Sequence, residues 1–446
     1  MRRFFNRSRL LNAALFGGTV AAAATVSLLT PVFSSAVNAT LQDSPKALLD
    51  EAWQIVNREY VDSTFNQVDW LAVRHELLSA SYSSREEAYN ALRRALQRLR
   101  DPYTRFMDPR QFEVLTSQTS GELSGVGIRL QADEQTGAIT VVEPIPNSPA
   151  ARAGIQVGDR ILSIDGVSTE GMTLEEASNR IRGEVGTRIV LRLQRQSQEA
   201  TELTLTRARI ELPNVHYTLK QEQGTRVGYI RLTEFSAHSA EQMQRAIEDL
   251  LSQQVQGFVL DLRGNPGGLL QASIDISRQW LGNGLIVRTV DRYGANERIR
   301  ANRTALTDLP LVVLVDGSSA SSSEILTGAL MDNRRATIVG TKTFGKALVQ
   351  SVHSLSDGSG LAVTIAHYYT PNGTDISQRG ITPNVQVNLT DSQRQQLAAN
   401  PASVGSQSDP QYVRAIAVLR STIAAQPARP IPAQRASAPR APRMSN

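Results

Sequence analysis

Beyond residues 1–39, the chain shows three successive patterns of apolar and polar positions. Leu48, Leu49, Ala52, Trp53, Val56 and Tyr60 share one helical face, with Ser44-Pro45 supplying an N-cap and a first-turn proline. Ser84 and Glu87 have the spacing of a capping box ahead of Ala88, Leu92, Ala95, Leu96 and Leu99, and Asp101-Pro102 ends that helix. Residues 40–117 thus read as a small helical domain whose role is packing. Over 118–208 the pattern changes. Short β-rich runs at 127–130, 138–142, 160–164, 188–193 and 202–206 alternate with turns, and one helix, capped by Thr173 with Glu176, carries Ala177 and Ile181. This is a compact, mostly-β module of about the minimum autonomous size. From 209 to 395, strands at 227–232, 257–262 and 311–315 alternate with helices, one capped by Ser239 with Gln242 and others at 269–280 and 321–332. Continuous apolar strands between helices predict an α/β domain. Residues 396–446 close the chain, and their Pro, Ala, Arg and Ser composition after Gln426 predicts disorder.

The length of 446 residues, about three times a typical ~150-residue domain, accommodates that division. Cysteine is absent, which excludes thiolate nucleophiles, Cys-held metal sites and disulfides. The net charge of +5 sits at the ends: residues 1–39 hold four arginines and no acid, as does the stretch after Gln426, leaving 39 basic against 42 acidic residues between them. That near-neutral middle offers no nucleic-acid footprint. Arg2-Arg3-Phe4-Phe5-Asn6-Arg7-Ser8-Arg9 is a basic n-region, the run from Leu10 to Ala39 is uncharged, and Val37 and Ala39 suit a signal-peptidase site. Residues 1–39 therefore predict an export signal, with an uncleaved membrane anchor as the alternative and twin-arginine export as a weaker reading of Arg2-Arg3. Only four lysines (Lys46, Lys220, Lys342, Lys346) stand against 43 arginines. A lysine here invites the question of what arginine cannot do, and losing a proton is one answer.

Candidate chemistry concentrates in three segments. The apolar strand 311–315 runs through Asp316-Gly317 into the serines 318–319 and 321–323 and then Glu324-Ile325, so serines sit where a helix N-terminus exposes free N–H groups suited to an oxyanion. Serine is also a favoured N-cap, and this alone does not separate nucleophile from cap. The five histidines (His75, His216, His238, His353, His367) lie in unrelated contexts and no G-x-S-x-G elbow exists, so the base is sought elsewhere. Gly340-Thr-Lys342-Thr-Phe-Gly345-Lys346-Ala-Leu-Val-Gln350 places two of the four lysines in a Gly-rich, apolar-flanked stretch. A desolvated lysine there would lose its proton and serve as base; a solvated loop is the plainer reading, and the phosphate-loop pattern is not met because Ala347 follows Lys346. Asp261-Leu-Arg263-Gly264-Asn265-Pro266-Gly267-Gly268 is a strand end turning through glycines, with backbone N–H groups for half of an oxyanion hole.

The chain order of the mostly-β module, Asp261–Gly268, the serine segment 319–325 and then Thr343–Gln350 closely resembles the carboxyl-terminal processing proteases, the Ser–Lys peptidases of the tail-specific protease family, over roughly residues 45–390. The resemblance implies an α/β catalytic core (ClpP/crotonase-like) with an inserted mostly-β PDZ domain and an N-terminal helical domain. It implies Ser321 as nucleophile, Lys346 as base, Gln350 orienting the lysine, and the N–H groups of Gly267 and Ser322 as oxyanion hole. Ser319, Ser323 and Lys342 are read as structural. The family usually has Ala at the place of Ser322, a change a backbone donor survives. Tyr369-Thr-Pro371-Asn-Gly373 and Gly380-Ile-Thr-Pro383 resemble the family's C-terminal strands.

The module at 118–208 resembles a PDZ domain. Gly125-Val126-Gly127-Ile128 matches its carboxylate-binding loop, and Gly154-Ile-Gln-Val-Gly158-Asp159-Arg160-Ile161 its later core. Free N–H groups there would capture a chain-terminal carboxylate while the strand edge accepts the peptide. Arg182 matches a family position coupling peptide binding to activation; a solvated helix-end arginine is the alternative. The expected partner is therefore a polypeptide C-terminus, with no metal or nucleotide cofactor implied and no nucleic acid. The helical region with Asp101-Pro-Tyr-Thr-Arg-Phe106 resembles photosynthetic-bacterial members, which implies a photosystem protein precursor as substrate and a periplasmic or thylakoid-lumen location. Membrane tethering and oligomerisation stay open. Two other readings are a non-catalytic PDZ scaffold with a degenerate protease domain, and a crotonase-like enzyme of acyl thioesters, in which the PDZ module has no role.

Overall fold

The computed structural model describes residues 44–133, 136–196 and 198–425, so the expected export signal and basic tail lie outside the described residues. Helices α1 (Pro45–Glu59), α2 (Trp70–Ser79) and α3 (Arg85–Gln97) pack through Trp53, Trp70, Leu92 and Leu96. Ser84 caps α3 by accepting the Glu87 N–H at 3.2 Å, but the Glu87 carboxylate turns to the Ser83 N–H at 2.7 Å, so the box does not close on Ser84. Ser44 makes no side-chain cap bond. Strand β1 (Arg105–Met107) and helix α4 (Pro109–Ser120) lead to the next module.

That module contains β2 (Glu122–Gly125), β3 (Ile128–Ala132), β4 (Ile139–Pro144), α5 (Pro149–Arg152), β5 (Arg160–Ile164), β6 (Val167–Ser168), α6 (Leu174–Ile181), β7 (Arg188–Gln194), β8 (Thr201–Thr206) and β9 (Ala208–Glu211). Its sheet runs β3-β4-β5-β7-β8, with β6 paired to β5. Ile161, Ile164, Ile189 and Leu191 bury against Ala177 and Ile181 of α6, which carries the expected Thr173–Glu176 capping box. Strand β2 pairs with β9 outside that sheet, so the chain enters and leaves the module through one two-stranded ribbon.

The rest comprises β10 (Val215–Glu222), β11 (Thr225–Leu232), α7 (Ser239–Ser252), β12 (Gly257–Asp261), α8 (Leu270–Trp280), β13 (Leu285–Asp291), β14 (Asn296–Arg300), β15 (Leu311–Val315), α9 (Ser322–Asp332), β16 (Thr337–Gly340), β17 (Leu348–Ser354), β18 (Gly360–Tyr369), β19 (Val385–Gln386), α10 (Asp391–Ala399) and α11 (Pro410–Ala425). A six-stranded sheet runs β10-β11-β12-β15-β16-β19, parallel from β11 onward. Every residue of β12 and β15 is buried, as central parallel strands with apolar runs at 257–260 and 311–315 require, and the buried Asp261 closes β12. Helices α7, α8 and α9 cover one face; Tyr412, Ala415, Ile416 and Leu419 of α11 cover the other. Ser239 is the first helical residue of α7 rather than its cap: His238 holds that position, and the Ser239 hydroxyl donates to Glu234 O at 2.8 Å.

A second, antiparallel sheet is built on β18, which pairs with β17, β13 and β1. Because β1 belongs to the helical segment, Leu355, Leu361 and Val363 enter that segment's own core. The helical segment therefore adds its strand β1 to the sheet whose strand β17 begins two residues after Lys346. Among the described residues, no helix is long and apolar enough to cross a membrane.

Candidate active site

Strands β12 and β15 are parallel neighbours, so both end on the same sheet edge and the loops leaving them meet. Asn265, fully buried, fastens the loops together. Its amide donates to Leu232 O at 2.9 Å, and its backbone carbonyl accepts the Ala320 N–H at 3.1 Å and the Ser323 hydroxyl at 3.0 Å. The Ser319 hydroxyl donates to Leu262 O at 2.9 Å, and that of Ser322 to Gly268 O at 3.0 Å. Each of these three serines spends its hydroxyl on the scaffold. Ser321, between them at the N-cap of α9, donates its hydroxyl to no described residue, and its φ of 54° lies in the region a non-glycine residue enters only at a cost.

Gly267 is the closest approach of the other loop: a Cβ there would stand 2.9 Å from Ser321 Cβ and 3.0 Å from Ser322 N. Only glycine permits that proximity. The Ser322 N–H opens α9 and has no acceptor among the described residues. The Gly267 N–H is donated to Asn265 Oδ1 at 2.9 Å, whereas the N–H of Gly268 has no such acceptor.

The lysine segment is brought to this edge by one carboxylate. Glu324, on the first turn of α9 and fully buried, accepts the Thr343 hydroxyl at 2.6 Å and the Gly345 N–H at 2.7 Å on Oε1. Its Oε2 accepts the Ser321 N–H at 3.0 Å and the Lys346 N–H at 2.9 Å. Burial pushes its carboxyl above the usual range, and the four donors oppose that by favouring the carboxylate. Tyr368 Oη, from β18, lies against both Ser321 O at 3.2 Å and Lys346 O. Sequence reading passed over Glu324 and Tyr368. The signal for Glu324 was its place three residues after Ser321, the span of one helical turn.

Lys346 is half-buried, and burial pulls its amine below the usual lysine range; Arg105 adds to that, while Asp101 and Glu324 oppose it. Its Nζ stands 4.6 Å from the centroid of the Tyr103 ring. Lys346 and Ser321 make no side-chain hydrogen bond to each other. Gln350 follows an irregularity in the β17–β18 register and makes none to Lys346; its Nε2 is buried without a partner. Lys342 is exposed.

Below the glycine loop, Arg263 is clamped between two fully buried carboxylates. It donates to Asp261 at 2.9 and 2.6 Å and to Asp409 at 3.0 and 2.7 Å. Asp409 directly precedes α11, so this pair of forks ties the C-terminal helix to the end of β12. A separate cluster joins α1 to β17: His353 Nε2 lies 2.8 Å from Glu59 and 3.0 Å from Ser351 Oγ, and the Ser351 hydroxyl donates to the same carboxylate. One nitrogen facing both partners is not a relay, and the cluster is a structural tie.

In the mostly-β module, Val126 is fully buried and Gly127 has φ 79°, where a Cβ would strike Ser148 at 2.2 Å. The carbonyl of Val126 accepts the Ala150 N–H and that of Gly127 the Ile145 N–H, both at 2.9 Å. The N–H groups of Val126 and Gly127 have no acceptor among the described residues, so both are free to donate. Ile128 starts β3, the open edge of the sheet, alongside α6. Arg182 ends α6, exposed, with its Cα 3.9 Å from where a Cβ on Gly125 would stand. The last carbonyls of α6 are held by Arg207, which donates to Ile181 O and Arg180 O at 2.9 Å each.

Residues 226–387 match Peptidase family S41 and residues 140–195 match a PDZ domain. The chain is 44% identical over 379 residues to the carboxyl-terminal-processing protease of Synechocystis, covering 84% of this chain and 87% of that protein. It is 38% identical to the chloroplastic carboxyl-terminal-processing peptidase 2 of Arabidopsis thaliana, covering 81% of this chain and 74% of the relative. Among solved structures it resembles a photosystem II D1 C-terminal processing protease at 36% identity and a TM-score of 0.51, covering 83% of this chain and 99% of that one. The chain belongs to the carboxyl-terminal-processing proteases, serine-type peptidases of family S41 that carry a PDZ domain.

Proposed function

We propose that this protein is an exported endopeptidase that holds a substrate C-terminus on its PDZ module and removes C-terminal tails by a Ser–Lys mechanism. The observation that carries the reading is the single Glu324 carboxylate binding the backbone N–H of both Ser321 and Lys346. Neutral Lys346 takes the Ser321 proton as Oγ attacks the scissile carbonyl carbon. The oxyanion is met by the Ser322 N–H and a glycine N–H of the Asn-Pro-Gly-Gly turn. Gly267 can serve only after leaving Asn265 Oδ1, and Gly268 is free of that step. The intermediate collapses to an acyl-Ser321 ester as the lysine ammonium returns the proton to the leaving amine. Lys346 then deprotonates a water that attacks the ester, releasing the shortened chain and restoring the Ser321 hydroxyl. Gln350, one buried amide from the lysine hairpin, orients Lys346 when the side chains of Ser321 and Lys346 close on each other.

Gly125, Val126, Gly127 and Ile128 bind the terminal carboxylate and the first residues of the peptide, with Arg182 at the end of the groove helix coupling that binding to activity. The basic and uncharged segments of residues 1–39 support export to the periplasm or the thylakoid lumen. The substrate assigned is the C-terminal extension of a photosystem protein precursor, the target named for the D1-processing relative. Mass spectrometry of protein C-termini in cells carrying wild-type or Ser321→Ala enzyme tests this. Extended C-termini accumulating with the variant support it; identical C-termini overturn it.

A further inference from the structure

The helical domain carries no catalytic motif, yet the loop that leaves it reaches the catalytic lysine. We propose that Tyr103 is a positioning residue for the base: its ring face seats the Lys346 amine and makes the N-terminal helical domain a working part of the active site. The proposal rests on the reading of Lys346 as base.

Among the described residues, no side chain but this ring makes a hydrogen bond, ion pair or cation–π contact with the amine. Its centroid stands 4.6 Å from Nζ, and the amine makes no hydrogen bond among the described residues. A lysine side chain has a flexible four-carbon stem, and an amine with no hydrogen bond is ordered only by what packs against it. Tyr103 is itself held on both sides. Asp101 accepts the Tyr103 N–H at 2.9 Å and the Thr104 hydroxyl at 2.7 Å. The Thr104 hydroxyl oxygen accepts the Thr364 N–H at 3.0 Å, and Arg105 pairs with Ala362. The loop is thus fixed to β18, the partner of the strand that follows Lys346.

An aromatic face also suits a base that must be neutral to work. It attracts an ammonium much less than a carboxylate would, so it fixes position without locking in the proton. The charged and titratable groups facing Lys346 are Tyr103, Arg105, Asp101, Glu324 and, against its backbone carbonyl, Tyr368. Of these, only Tyr103 stacks on the amine. Burial holds the Tyr103 phenol above its ordinary range, so the face stays uncharged. Where Tyr103 is removed, water reaches the amine, the desolvation that pulls the lysine down relaxes, and the limb on which the rate rises with pH moves to higher pH.

The test is steady-state cleavage of a peptide with a free C-terminal carboxylate by the whole protein, from pH 6 to 10. Tyr103→Phe keeps the face and should stay within about twofold of wild type. Tyr103→Ala should lose roughly tenfold in kcat, leave KM within about twofold, and shift the rising limb of the pH profile to higher pH. Tyr103→Gln, which keeps side-chain length, should behave as Tyr103→Ala and covers the case in which alanine impairs folding. Wild-type kcat and pH limb in Tyr103→Ala or Tyr103→Gln overturn the proposal, as does a Tyr103→Phe variant as impaired as Tyr103→Ala. Lys346→Ala in parallel separates the two readings. Full activity of that variant removes the base itself, whereas an inactive Lys346→Ala beside a wild-type-like Tyr103→Ala removes only the positioning role.

Discussion

Glu324→Gln removes the negative charge from the joint between nucleophile and lysine while keeping its shape. Each carboxylate oxygen accepts two donors, and the site is fully buried, so no water replaces a lost acceptor. With the new NH2 facing Ser321 and Lys346, two backbone N–H groups are orphaned, at ~1–3 kcal/mol each. Facing the other way, it orphans the Gly345 N–H, and Thr343 is already constrained because its hydroxyl oxygen accepts the Ile381 N–H at 2.7 Å. The second orientation is cheaper, about 1–3 kcal/mol. Neutralising a buried carboxylate relieves its desolvation, so the net loss of global stability is the smaller effect. Activity is more exposed, since displacement of either reacting group by about 1 Å costs roughly 100-fold. The expected outcome is a modest fall in thermal midpoint with a kcat lowered about 100-fold, read by calorimetry and single-turnover peptide cleavage at neutral pH. A folded Glu324→Gln enzyme within twofold of wild-type kcat would refute the reasoning.

Other perturbations probe the supports. Arg263→Ala strands the buried carboxylates of Asp261 and Asp409, so it should destabilise by about 3–5 kcal/mol in denaturant titration; unchanged stability would show that the double fork is not what holds α11. Gly268→Ala places a Cβ 2.2 Å from Phe235 O and should abolish turnover with PDZ peptide binding retained, checked by cleavage and fluorescence binding side by side. Glu59, drawn down to about 2 by His353 against the opposing effect of burial, binds its proton less readily folded than unfolded. Its contribution is therefore present above about pH 4.5 and lost as pH falls toward 2. Melting curves of Glu59→Gln should lie below wild type at pH 5 and converge with it at pH 2.

Much of this arrangement is legible in the chain because its signals are local. The apolar runs at β12 and β15 announce buried parallel strands, and Ser321, Lys346 and the Asn-Pro-Gly-Gly turn occupy short motifs on one sheet edge. What escaped is what depends on distance. Glu324 is an ordinary first-turn acid until the fold delivers Thr343, Gly345 and Lys346 to it. Tyr368 and Tyr103 arrive from β18 and from the helical domain, far from the serine in sequence. Helix α11 was overlooked although Tyr412, Ala415, Ile416 and Leu419 carry a helical period, because the Pro- and Arg-rich residues after it dominate the composition of that region. Hydrogen-bond commitments, such as the Gly267 N–H held by Asn265, have no sequence signature at all.

The central claim is that an uncharged Lys346 activates Ser321. Its most direct measurement is the rate of covalent fluorophosphonate labelling of Ser321, followed by intact mass from pH 6 to 10 in wild type and Lys346→Arg. The wild-type rate should climb with pH and level off below the ordinary lysine range, while Lys346→Arg, permanently charged, should be at least about 100-fold slower with an unchanged unfolding midpoint. Labelling of Lys346→Arg at the wild-type rate, or a wild-type rate that falls between pH 6 and 9 while the fold persists, would contradict it.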